Sequence, residues 1–288
     1  MSRTATRGSA GAADREDDAR DDADLDAFNR YLAASERPLV SLAFVIPLII
    51  LYELGTLKYA SDPVRHTEQR IIAFNMMRSL FDACGAHARY LPAFAVPCIL
   101  LFWHLARRDP WKVPVSAVGG IVVESIILAL PLVALGEVLR HHLPLAEVDG
   151  RPPWKAMVVL SLGAGVYEEL VFRLMAFVLL SLLLIDLLKM ERKRAGILII
   201  VLSAVLFSLY HNFRLDRLAY HTLTLHWSQL TAANLLTTDP FSFGAFVFRT
   251  AAGVYFGVLF LSRGFGITVG THAIYDLIIV ICEYKLLF

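Results

Sequence analysis

Charge is scarce in this chain of 288 residues: 18% are Asp, Glu, Lys or Arg, against 57% hydrophobic. Soluble domains carry about a quarter charged residues and about half apolar, so an ordinary water-soluble fold is excluded. The 27 basic and 26 acidic residues leave a net charge of +1. With no basic face, nucleic acid is not an expected partner. Cysteine is scarcer still. Cys84, Cys98 and Cys282 are far apart, and no CxxC or Cys/His spacing accompanies them. That removes a disulfide framework and a cysteine metal site, so Cys98 and Cys282, both in apolar runs, are expected to pack as small hydrophobes. The chain also lacks a charged segment followed by a short apolar one, the mark of a secretory signal. Its first hydrophobic stretch is therefore expected to be a retained membrane anchor.

What is present is long apolar sequence, with a mean hydropathy of +0.59. A helix needs about 20 mostly apolar residues to cross the hydrocarbon core. Seven runs approach this, near Leu39–Leu57, Tyr90–Leu105, Val115–Leu139, Ala156–Leu188, Gly196–His211, Phe241–Leu261 and Phe265–Leu287. The fold class expected is all-α: a polytopic integral membrane bundle of about seven transmembrane helices plus interfacial ones. The mixed polarity of Ile71–Phe81, and of Ala219–Leu236 with Tyr220 and Trp227, suits helices lying at the interface. Residues 1–37 are rich in Ala, Asp and Arg, with Asp14-Arg15-Glu16-Asp17-Asp18 and Asp21-Asp22-Ala23-Asp24, and read as a solvated, disordered tail. Residues 38–288 then form one membrane domain. Basic connections at Arg107-Arg108 and Lys189–Arg194 fall on the side of the N-terminus, which the positive-inside rule places in the cytoplasm. The other side carries Lys58, Arg65, Arg70, Arg78 and Arg89 in a longer connection.

Within the fourth run stands Tyr167-Glu168-Glu169-Leu170-Val171-Phe172-Arg173. A charge at the centre of a membrane helix costs about 2.5–3.5 kcal/mol on insertion scales, so three together point to function. Successive helical residues turn by about 100°, which keeps Glu168 and Glu169 off a common face. Glu169 and Arg173 are four apart and form a favourable pair. Glu168 is left over, directed along the line of Phe172, as a candidate general base for water. The fifth run ends in Phe207-Ser208-Leu209-Tyr210-His211, with Phe207 and His211 on one face. The seventh carries His272-Ala273-Ile274-Tyr275-Asp276, with His272 and Asp276 likewise four apart. A carboxylate with one histidine, facing a second histidine and an acidic residue, supplies a base and an oxyanion partner for peptide hydrolysis. In a simple seven-span layout His211 and His272 fall near opposite membrane faces, and Gly264, Gly266 and Gly270 offer the distortion needed to bring them together.

Glu168-Glu169-x-x-x-Arg173, Phe207-x-x-x-His211 and His272-x-x-x-Asp276 resemble, in order, the EExxxR, FxxxH and HxxxN/D motifs of the intramembrane glutamic endopeptidases. That family, often called CPBP or ABI, includes the CAAX prenyl proteases and bacteriocin-processing enzymes. The resemblance covers roughly residues 156–287, the expected catalytic core. It implies that Glu168 activates water together with His211, that His272 and Asp276 stabilise the oxyanion, and that Glu169 and Arg173 form a supporting ion pair. It implies no cofactor and no metal, membrane lipids and a membrane-associated peptide or protein as partners, and a multi-pass place in a prokaryotic inner membrane. One departure matters: Asn can donate a hydrogen bond, whereas an ionised Asp276 only accepts.

Three rival readings use the same residues. The charges could lock helices together in a non-catalytic scaffold or immunity-type protein. They could relay protons in a coupled transporter. Glu168, His211 and His272 could instead hold zinc, although the HExxH pattern is missing. His221 and His226 read as surface residues, and Glu53, Glu124 and Arg249 as members of a second, structural polar network.

Overall fold

A computed structural model describes residues 23–62, 67–143, 152–224, 231, 235 and 241–285. The chain is a helical membrane bundle. Helix α1 covers residues 23–35, followed by α2 (Pro38–Tyr59), α3 (Ile72–Ala83), α4 (Leu91–Arg107) and α5 (Val115–His142). Then come α6 (Trp154–Leu187), α7 (Arg192–Tyr210), α8 (Leu215–Leu223), α9 (Phe243–Arg263) and α10 (Phe265–Glu283). Two strands of two residues each, β1 (Ser61–Asp62) and β2 (Thr67–Glu68), pair antiparallel between α2 and α3.

Helices α2, α5, α6, α7, α9 and α10 are long and apolar enough to cross a membrane, and α4 is a shorter apolar helix of 17 residues. Each of the seven expected runs thus contains a helix. Their outer faces remain apolar, with Val123, Ile127, Leu130, Leu179, Val258 and Leu261 exposed, as a bilayer requires. Cys98 and Cys282 lie on these outer faces, not in the protein core as expected, because α4 and α10 turn those positions away from their neighbours. The interfacial reading of Ile71–Phe81 corresponds to α3, which buries Ala73, Phe74 and Met77. That of Ala219–Leu236 begins in α8, and Trp227 and His226 lie outside the described residues.

Of the expected disordered tail, residues 1–22 lie outside the described residues, while α1 is ordered against the bundle. Tyr31 Oη donates to Glu124 Oε2 at 2.5 Å. Burial and the Glu124 carboxylate both push the Tyr31 phenol above its usual range. Arg263 donates to both Glu124 oxygens, at 2.6 and 2.8 Å, and to Ser35 Oγ at 3.1 Å. Few large apolar side chains were available in this segment, and a polar network anchors it instead. Glu53 belongs to a different network: Arg70 reaches its two oxygens at 2.9 and 2.8 Å and Glu68 at 3.0 Å. Burial acts against the charge of Arg70, but its bonds to Glu53 outweigh this and hold the pKa above the ordinary value.

Helix α10 is the most buried of the six long spans and packs against α2, α5, α6 and α9. It follows α9 after a single residue, Gly264, at φ 81. Glycine accepts this left-handed φ without a Cβ clash. Gly266 N–H, one of the unpaired donors of the first turn of α10, is satisfied by Ser41 Oγ of α2 at 3.0 Å. This central placement carries His272 into the middle of the bundle.

Candidate active site

Helix α6 changes its winding where the charges lie. It is α-helical through Glu169, π-helical over Leu170–Met175, α-helical over Ala176–Ser181 and π-helical again over Leu182–Leu187. Single π turns inside α-helices are rare and concentrate at functional sites. Ser203 Oγ of α7 donates to the Phe172 carbonyl in the first π turn at 2.5 Å, giving the widened backbone a tertiary partner. Glu168, Glu169 and Arg173 are all buried, Glu169 and Arg173 completely. The expected pair forms, with Arg173 Nε 3.2 Å from Glu169 Oε2. Arg173 Nη2 donates to the Gly253 carbonyl of α9 at 3.3 Å. Its guanidinium also lies 4.4 Å from the Phe207 ring centroid and 5.3 Å from that of Phe256. Two aromatic faces and one carboxylate therefore surround the buried cation, where water would otherwise be needed.

Phe207 connects the three motifs. Its face covers Arg173, while His211 and His272 meet it edge-on at centroid distances of 5.1 and 6.0 Å. The two histidines, placed near opposite membrane faces by a simple layout, are thus brought to one ring. His272 lies two turns into α10, and α10 reaches inward because it starts at the Gly264 elbow.

His272 lies between the adjacent glutamates. Its Nδ1 is 2.6 Å from Glu169 Oε1 and its Nε2 is 3.7 Å from Glu168 Oε2. Since Glu169 pairs with Arg173 as a carboxylate and can only accept, Nδ1 carries the proton of that bond. Helical rotation does separate the two glutamates. A ring whose nitrogens point in different directions can nonetheless engage both. Asp276 Oδ2 also lies 3.7 Å from Nε2, and the Asp276 side chain is partly exposed. Phe256 stacks on the imidazole at 4.7 Å and 16°, fixing its plane.

Glu168 has a partner that sequence reasoning missed. Tyr210 Oη donates to Glu168 Oε1 at 2.5 Å, and its side chain is fully buried. Tyr210 precedes the motif histidine and lies three residues after Phe207, so its proximity to the site was open to inspection. His211 Nδ1 lies 2.8 Å from the Phe207 carbonyl, to which it donates, leaving Nε2 as the acceptor end of a neutral ring. The ring lies 4.5 Å from that of Tyr210, so His211 approaches Glu168 by way of Tyr210. Phe256 was also missed, as an ordinary-looking aromatic in an apolar run. Arg249, expected in a structural network, extends its charge to Tyr210, His211 and Tyr275.

Among the described residues, no group of three His, Cys, Asp or Glu side chains is arranged to hold a metal ion. The arrangement offers a carboxylate with one oxygen engaged by Tyr210, an imidazole oriented by a second carboxylate, and an acidic residue toward the exposed side. Those are the parts of general acid–base chemistry on a polar bond.

Comparison with curated proteins and with solved structures finds no match. The family described as Type II CAAX prenyl endopeptidase Rce1-like matches residues 150–278, a stretch that contains every residue of the three motifs. Over residues 150–278, the part of the bundle that carries the three motifs, this chain is thus similar to the Rce1-like type II CAAX prenyl endopeptidases.

Proposed function

We propose that the protein is an intramembrane endopeptidase in which Glu168 is the general base for a hydrolytic water. The observation that supports this reading best is the placement of His272 between Glu168 and Glu169, with Tyr210 on the remaining Glu168 oxygen. Glu168 Oε2 takes a proton from water as the water oxygen attacks the peptide carbonyl carbon. The carbonyl oxygen becomes an oxyanion on the side of His272, whose Nδ1–H is held by Glu169. A proton on Nε2 then stabilises that charge. Asp276, as an acceptor, orients Nε2 and keeps it charged. Collapse breaks the C–N bond, and Glu168 returns its proton to the leaving amine. Water is added across the bond, Glu168 is regenerated, and no acyl-enzyme forms. His211, with its Nε2 lone pair, assists in holding the water. Glu169 and Arg173 support the site without touching substrate.

The substrate proposed is a membrane-associated peptide or protein of the prenylated CAAX type that the family description names, presented from the lipid phase. The basic connections at Arg107-Arg108 and Lys189–Arg194 favour a cytoplasmic N-terminus in a prokaryotic inner membrane.

Replacing Glu168 by Gln keeps the shape and removes the base. In liposomes containing the purified protein, Glu168→Gln should lower kcat/KM for a prenylated CAAX peptide by about 10²–10⁴-fold. Undiminished cleavage would overturn the assignment of Glu168. A wild-type protein that cleaves nothing while Glu168→Gln leaves its cellular phenotype intact would favour the scaffold. Substrate flux driven by a pH gradient in sealed vesicles would favour the transporter. Loss of cleavage on chelation, restored by zinc alone, would favour the metal site.

A further inference from the structure

The proposed base is approached by a part of the chain outside the residues that the family matches. Helix α3 packs against α6, and its first turn lies on the two neighbours of Glu168. Phe74 meets the Tyr167 ring edge-on at 5.1 Å and 84°, and Tyr167 directly precedes Glu168. Ala73 is fully buried at the second position of α3, where a backbone N–H has no partner within the helix. No side chain caps this end, so the N–H needs an acceptor from elsewhere. The Tyr210 hydroxyl takes that place. It faces the Ala73 N–H while donating its own proton to Glu168 Oε1 at 2.5 Å. A hydroxyl can accept while it donates. Accepting from Ala73 polarises the O–H and strengthens its bond to the carboxylate.

Arg70, two residues ahead of α3, sets where that turn lies. Its Nη1 and Nη2 donate to the two oxygens of Glu53 on α2, at 2.9 and 2.8 Å, and its Nε to Glu68 at 3.0 Å. Arg89 adds a second cation to Glu68. The Arg70 guanidinium lies 4.2 Å from the Phe74 ring centroid and 5.5 Å from that of Tyr52, and Tyr52 in turn packs on Tyr167 at 5.4 Å. The cation is thus tied to α2, to the strand ahead of α3 and to the ring beside Ala73. Holding α2 to α3 alone would be met as well by apolar residues of similar volume. What a two-pronged guanidinium adds is direction, because a fork on a carboxylate fixes angle as well as distance.

We propose that Arg70, held by Glu53, is a positioning residue for Glu168, acting through the first turn of α3 and the Tyr210 hydroxyl. This rests on the reading of Glu168 as the base. Glu53 and Arg70, both outside the matched residues 150–278, thereby join the frame of the active site. Arg70 touches no substrate in this role.

The test uses the full chain in liposomes, with two readouts. In cleavage of a prenylated CAAX peptide, Arg70→Met should lower kcat about 10-fold and leave KM within about twofold of wild type. Combined with Tyr210→Phe it should lower kcat no further than Tyr210→Phe alone, since both changes cut the same chain of bonds. Arg70→Lys should stand closer to wild type. The second readout needs no turnover: labelling by a hydrophobic carbodiimide, with peptide fragmentation to separate Glu168 from Glu169. Labelling at Glu168 should rise several-fold in Arg70→Met and in Tyr210→Phe, because a carboxyl group released from the hydroxyl meets the reagent more freely. Thermal midpoints check the fold. Glu53→Gln with Arg70→Met strands no carboxylate, and replaces the single variant where Arg70→Met fails to fold. Losses in kcat that multiply when Arg70→Met and Tyr210→Phe are combined overturn the proposal, as does unchanged labelling at Glu168. A wild type that cleaves nothing would sink the peptidase reading, and the labelling would still decide whether Arg70 positions Glu168.

Discussion

The hydroxyl of Tyr210 donates to Oε1 of Glu168 at 2.5 Å, which leaves Oε2 as the oxygen facing His272 at 3.7 Å. A carboxylate free to rotate would present either oxygen at any angle. Here one is occupied, and the other has a fixed direction. The family pattern allows Asn or Asp at the last motif position, and this chain has Asp276. Tyr210 is therefore the hydroxyl donor of the site, in a protein whose last motif residue can only accept when ionised.

Removing that hydroxyl while keeping the ring should separate positioning from packing. Tyr210→Phe is expected to lower kcat by about 10- to 100-fold, the scale of a small misplacement of a reacting group, with little change in KM. The cost in stability should be about 1 kcal/mol, one buried hydrogen bond. Steady-state cleavage of a fluorogenic peptide and a thermal unfolding curve check both. A kcat equal to wild type would mean that Tyr210 only fills space.

Glu169 and Arg173 should behave as a unit. Taking away one partner of a buried ion pair costs about 3–5 kcal/mol, because the other charge is left uncompensated. Arg173 Nη1 already lacks a hydrogen-bond partner among the described residues, so it has little to fall back on. Glu169→Gln and Arg173→Met should each destabilise strongly, and the double variant should be milder than their sum. Denaturant titration of the four proteins in detergent tests this. Simple additivity would show that the two side chains are not coupled.

Gly165 marks the crossing of α6 and α10. A Cβ built there would lie 2.9 Å from both the Ala273 nitrogen and the Val269 oxygen. These are backbone atoms next to His272 and cannot turn aside. Gly165→Ala should therefore push α10 away, destabilise the fold by about 1–3 kcal/mol and reduce turnover by moving the imidazole from Glu168. Gly136→Ala is the control, since its Cβ would meet nothing nearer than 3.5 Å. Equal behaviour of the two variants would remove the close crossing as an explanation.

The N-terminal helix is anchored through Glu124 and Arg263. Glu124 receives Tyr31 and two bonds from Arg263, in the turn that leads into Gly264 and α10. Glu124→Ala should release α1 to limited proteolysis and cost about 2 kcal/mol through the lost charged hydrogen bonds. Mass spectrometry of the digest would locate the cut. A variant whose α1 resists protease as wild type does would show that the anchor lies elsewhere.

The apolar runs were legible because a bilayer demands length and hydrophobicity, and both are one-dimensional properties. So were the pairing of Glu169 with Arg173, which needs only a spacing of four, and the histidines as candidates. Tyr210 and Phe256 were not legible, because nothing local distinguishes a tyrosine on a carboxylate, or a phenylalanine on an imidazole, from one in a core. The reading of residues 1–37 as disordered overlooked α1, since composition reports how little there is to bury and not whether a distant Arg263 and Glu124 await a tyrosine.

By itself, then, the sequence determined a membrane bundle and the identities of its ionisable residues, through hydropathy and helical spacing. Only the tertiary structure decided that one imidazole would stand between Glu168 and Glu169. That outcome depends on a π turn in α6, a glycine elbow ahead of α10 and the close passage of α10 over Gly165. The glycine elbow was open to sequence reading, but the passage of α10 over Gly165 is a relation between segments distant in the chain, set by which backbones approach closely enough to pack, and no periodicity within one segment encodes it.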